Sequence, residues 1–198
     1  EKRTRIRLKT ASRLTSDAAP AIVIDTAAQL SRRYPALAKA LPAATDGRDG
    51  YRLAVVRDGS RSVVVVAGND SRGTLYGTGR LLRVLDMGRD ALSIPENVRI
   101  STAPRVAVRG HQLGYRPKTN SYDAWTPALW EQYIRDLIVF GVNAVELIPP
   151  RSDDAPDSPH FPLPQMDMMI RMSSMLDRYG LTSGSGIPLS TPTTPSQR

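Results

Sequence analysis

Three groups of side chains in this 198-residue chain have the types and spacing that chemistry requires. The run Arg109-Gly110-His111-Gln112-Leu113-Gly114-Tyr115-Arg116 brings an imidazole and a guanidinium close together in sequence, in a polar stretch rich in ring and cation side chains. Glu146, followed by Asp153, Asp154, Asp157 and His160, offers carboxylates of the kind used as general acids and bases. A glycine-rich run, Gly68 to Gly79, follows a β-branched stretch and opens a helical pattern, which invites comparison with a phosphate loop.

Each group has a plainer reading. Gly68 and Gly73 have the GxxxxG spacing, but Thr74 and Leu75 stand where a phosphate loop needs a Lys and then a Ser or Thr. Gly73, Gly77 and Gly79 do not spell GxGxxG, so these glycines are read as permitting close helix–sheet packing. Glu146 falls inside a strand and is read as a paired charge, while Asp153 and Asp154 are the more accessible acids. His111 and Arg116 stay as polar loop residues; a substrate-binding role for them is what the family resemblance described below implies. No catalytic residue is assigned.

Metal and redox chemistry find little support in the composition. The chain has no cysteine, which rules out thiolate metal sites and disulfides within it, and His111 and His160 do not form an HExxH pattern. Neither a metal nor a cofactor is expected. The formal charge of +8 suggests a nucleic-acid partner at first sight, yet Lys2, Arg3, Arg5, Arg7, Lys9 and Arg13 against Glu1 supply five of those charges. The basic excess is an N-terminal arm, read as solvated, with no interleaved aromatics to stack on bases, so no nucleic-acid partner is expected. Apolar runs such as Val63 to Ala67 are far too short for a membrane span. Oligomeric state is not legible.

The elements that must position these residues can be read in order. Ala21 to Thr26 is a strand, and Ala27 to Leu41 is a helix broken near Pro35. Asp58-Gly59-Ser60 joins two β-branched runs, Tyr51 to Arg57 and Ser62 to Ala67, into a hairpin. A helix follows to Leu85, capped by Asp70 or Ser71, then a strand at Val98 to Ile100. After a boundary at Ala103-Pro104-Arg105 comes a strand at Val106 to Arg109 and a polar loop through Asp123. Thr126-Pro127 starts an amphipathic helix stopped by Gly141. Asn143 to Ile148 is a second strand, apolar enough to be covered on both faces. Gln165 to Tyr179 is a further helix, its methionines read as core. From Thr182 the chain turns Ser/Thr/Pro/Gly-rich, where no strand is expected.

The stretch from Gly50 to Pro150 resembles the N-terminal part of family-20-type glycoside hydrolases, the β-N-acetylhexosaminidases. The resemblance rests on DGYRLAVV, VVVVAGNDSRGTLYGTGRLLRVL, IPENVRISTAPRVAVRG and IRDLIVFGVNAVELI. It implies an α/β fold: an α+β accessory domain over 1–103, with a small sheet and helices on one face, then the first two βα units of a (β/α)8 barrel over 104–181. A disordered tail over 182–198 completes the expectation. In that family an Asp and then an Arg-His reach the sugar hydroxyls after the RG of the first barrel strand. Gly114 takes the place of the Asp here, and Arg116 is displaced by one residue.

The resemblance further implies a glycan or oligosaccharide partner, hydrolysis of O-glycosyl bonds, and an extracellular or periplasmic location. The Asp-Glu pair that such enzymes carry on the fourth barrel strand has no counterpart, since no Asp-Glu dipeptide occurs in the chain. A fragment inactive alone is therefore expected. The alternative is a noncatalytic α/β module that binds glycan or a partner protein.

Overall fold

The computed structural model describes residues 4–15, 18–112, 124–147 and 162–183. The chain divides near Ala107 into two compact units, with Ile138–Gly141 grouping with the first.

The first unit is built on a four-stranded sheet of order β1-β3-β2-β6, from β1 (Ala21–Thr26), β2 (Tyr51–Asp58), β3 (Arg61–Gly68) and β6 (Arg99–Thr102). β1 and β3 run parallel, while β2 is antiparallel to both β3 and β6. Strand β3 is central, and Val63 to Val66 are all buried. Alternation sends successive side chains to opposite faces. Val63, Val65 and Ala67, with Ala54 and Val56, pack on Leu30 of α1 (Ala27–Arg33) and Leu37 of α2 (Pro35–Ala40). Val64 and Val66, with Leu53, pack on Leu81 of α3 (Ser71–Val84).

Helices thus cover both faces of the sheet, which corrects the expected single-faced layer. The physical reason is the unbroken valine run, which has no polar face to leave in water; each buried valine contributes about 1.5–3 kcal/mol. The helix breaks at Pro35 as read, Pro35 opening α2, and Thr26 caps α1, its Oγ1 accepting from the Gln29 amide at 3.4 Å. A small hairpin absent from the sequence reading, β4 (Asp86–Gly88) with β5 (Ala91–Ser93), follows α3.

The N-terminal arm is held rather than free. The Asp90 amide donates to the Thr4 carbonyl at 2.8 Å, the Leu14 amide to the Tyr34 hydroxyl at 2.9 Å, and the Arg33 guanidinium to the Ser12 carbonyl. Arg5, Arg7, Lys9 and Arg13 nevertheless keep exposed side chains.

The second unit contains β7 (Gly110–Gln112), α4 (Pro127–Val139), β8 (Ala144–Glu146), α5 (Gln165–Arg178) and β9 (Thr182–Ser183). The three strands are parallel and lie in chain order, β7-β8-β9. Two expectations are corrected. The first strand begins at Gly110 and not at Val106, because Val106 and Val108 are 62% and 53% exposed and the Asn143 side chain takes the Arg109 amide at 2.7 Å. A third strand occurs where none was expected, its first amide, that of Thr182, donating to the Asn143 carbonyl at 2.9 Å.

Buried Val145, Trp130, Ile134, Met172, Met175, Leu176 and Leu181 form the interior of this unit. The methionine reading holds for Met172 and Met175, whereas Met166 and Ile170 are exposed. Gly141 and Gly180 end the two helices at φ +91° and +66°, backbone conformations that glycine adopts without steric cost.

Candidate functional site

Asn143 organises the start of the parallel sheet. It is buried, its amide donates to the Arg109 carbonyl at 3.1 Å, and its side-chain oxygen accepts from the Arg109 amide. Since its own carbonyl holds Thr182, one residue ties the entries of all three strands. The register that follows is Gly110 beside Ala144, His111 beside Val145, and Gln112 beside Glu146.

In a parallel pair, registered residues share a face and successive residues alternate. His111 and Val145 therefore lie on one face, Gln112 and Glu146 on the other. Val145 is 1% exposed. The His111 Nε2 lies 2.8 Å from the Tyr133 hydroxyl of α4, with the two rings edge to face at 5.6 Å. Tyr133 in turn meets Trp125 at 5.2 Å, and Trp125 meets buried Trp130 at 5.1 Å. His111 is thus a strand residue turned toward the helix layer, not a loop residue as expected.

Glu146 is the last residue of β8, and Gln112, its registered partner, is the last described residue of β7. Their face is open: Gln112 is exposed, Glu146 half-buried, and their neighbours on that face, Gly110 and Ala144, are small. A Cβ placed on Gly110 would meet nothing closer than the Ala144 carbonyl at 3.9 Å. Sequence reasoning singled out Glu146 without Gln112. Starting the first strand at Gly110 is the signal that pairs them.

Arg116, Asp153, Asp154, Asp157 and His160 lie outside the described residues. Among the described residues no group of three or more His, Asp or Glu is placed to hold a metal, and no helix is long and apolar enough to cross a membrane. Helices α4 and α5 are tied at their surface, where the Tyr179 hydroxyl donates to Glu131 at 3.0 Å. Burial, and then this carboxylate, push the Tyr179 hydroxyl above the usual phenol range.

In the first unit the motif run Gly68 to Gly79 serves structure. Asp70 caps α3 through the Gly73 amide at 2.7 Å and accepts the Asp49 amide at 2.8 Å. Asp49, 3% exposed and at φ +63°, receives the Arg72 guanidinium at 2.9 Å. A Cβ on Gly73 would stand 2.1 Å from the Gly50 carbonyl oxygen, and one on Gly77 2.6 Å from Val66. These glycines are close-packing positions, and their room is already filled by backbone and valine.

With this geometry in hand, comparison with known proteins is informative. Residues 3–81 match the family model for the glycosyl hydrolase family 67 N-terminus. The fold is similar to a glycoside hydrolase family 20 β-N-acetylglucosaminidase, at 21% identity and a TM-score of 0.53, covering 91% of this chain and 40% of that one. It is also similar to CpGH84B, at 18% identity and a TM-score of 0.52, covering 78% of this chain and 26% of that one. No curated protein matches the sequence. Residues 3–81 are thus similar to a glycosyl hydrolase N-terminal domain, and the likeness to the solved structures is one of fold. These similarities name glycoside hydrolase families 67, 84 and 20, and no one of the three in particular. The chain spans well under half the length of either solved structure.

Proposed function

We propose that this chain is part of a carbohydrate-active glycoside hydrolase that cleaves O-glycosyl bonds, comprising an accessory α/β domain and the opening βα units of a catalytic barrel. The observation that carries this reading is one of order along the chain. A segment matching a glycosyl hydrolase N-terminal family is followed by three parallel strands in sequence order with helices between them. In a βα barrel, ligands bind at the carboxyl ends of the strands, toward which Glu146, the last residue of β8, and its registered partner Gln112 are set.

Hexosaminidase-like substrates, with an N-acetylated sugar, are the specific form of the proposal. It draws on the family-20 resemblance of Gly50 to Pro150. Arg116 is the candidate contact to a sugar hydroxyl. His111, the other candidate, lies 2.8 Å from the Tyr133 hydroxyl. Glycosidic cleavage needs two carboxyl groups flanking the bond, or one acid assisted by the substrate's own acetamido group. No Asp-Glu dipeptide is among these 198 residues, so no catalytic pair is assigned within them.

The test is to read the locus downstream of the Leu181 codon in all three frames. Further βα units with an Asp-Glu strand end are expected, and their absence from every frame overturns the reading in favour of a noncatalytic glycan- or protein-binding module.

A further inference from the structure

We propose that Gln112 and Glu146 form one wall of a saccharide subsite that holds a pair of neighbouring sugar hydroxyls. The inference rests on the glycosidase reading and adds to it a place and two residues. Three observations converge on this position. The register sets the two residues side by side on adjacent parallel strands, about 4.8 Å apart in backbone terms. Glu146 is the last residue of β8 and Gln112 is its registered partner, which sets the pair toward the end of a parallel sheet at which ligands bind in open α/β folds and barrels alike. The third observation is room, since the next pair on the same face is Gly110 and Ala144, and a Cβ on Gly110 would meet only that neighbouring strand.

The chemistry of the pair fits a diol. A carboxylate accepts from both hydroxyls of a vicinal pair, while the carboxamide both donates and accepts. Charge-assisted bonds of this type are the stronger ones. Residues on the opposite face cannot supply this contact, because His111 is engaged by Tyr133 and Val145 is buried.

The experiment is isothermal titration of the full chain with N-acetylglucosamine and, in parallel, with glucose. Binding that weakens about tenfold in Glu146→Gln and severalfold in Gln112→Ala, and is unchanged in Tyr133→Phe, is the expected result. Both residues sit on an open face, so thermal melts of the two variants matching the wild type separate loss of the subsite from loss of the fold. Binding that is equal in all variants overturns the subsite while leaving the glycosidase reading intact, because the locus test decides that independently. Absence of binding to either sugar by the wild-type chain also overturns the subsite.

Discussion

The Tyr133 hydroxyl lies 2.8 Å from the His111 Nε2, joining the middle of β7 to the middle of α4. This one contact reassigns the histidine. A residue read as a loop donor to sugar is instead half-buried between strand and helix, and the open face falls to its neighbour Gln112. Tyr133→Phe removes the bond but keeps the ring stack, so a loss of about 0.5–1.5 kcal/mol is expected. Chemical denaturation checks this, with sugar binding unaltered.

Asn143 should be the least replaceable polar residue of the second unit. Asn143→Ala leaves the Arg109 amide without its acceptor in a buried setting, at a cost of about 1–3 kcal/mol. Hydrogen exchange would show the loss first at the amides of 109–112 and 144–146.

Gly73 has no room for a methyl group, since the atom it would strike is backbone and not the end of a flexible side chain. Gly73→Ala is expected to destabilise the first unit by roughly 1–3 kcal/mol or more, read as a lowered melting temperature. Gly110→Ala, where the nearest atom is 3.9 Å away, should melt like the wild type.

Acid sensitivity should concentrate at Asp70. Burial alone would raise its carboxyl, but hydrogen bonds from the Asp49 and Gly73 amides, with Arg72 and Arg48 nearby, together hold it below its ordinary 3.8. A depressed folded pKa means stability fully present above that ordinary value and lost as pH falls through the lower folded one. Asp70→Asn keeps a capping oxygen without the titration. Its melting temperature should therefore fall less than that of the wild type as pH is lowered below about 3.8; parallel melts across that range decide it.

Much of the first unit was legible because local signals agree there. Asp-Gly between β-branched runs makes the β2–β3 hairpin, Pro35 splits the helix, and Asp70 caps α3. What escaped was tertiary. The valine run of β3 calls for cover on both faces but does not say which helices supply it, and the β4–β5 hairpin has strands of only three residues each. In the second unit the shift of the first strand's start from Val106 to Gly110 mattered most. Val106 to Arg109 looks more strand-like than Gly110 to Gln112, yet the pairing is set by the Asn143 side chain, which no periodicity reveals. With that start corrected, Gln112 becomes the partner of Glu146.

The central claim is that sugar is met at the carboxyl ends of the parallel strands and not on the accessory sheet. A titration of the isotope-labelled chain with N-acetylglucosamine, followed through backbone amide shifts, tests it most directly. Saturating shifts are predicted at Gln112, Glu146 and the residues adjoining them. Shifts confined to residues 4–104, or none at all, would contradict it.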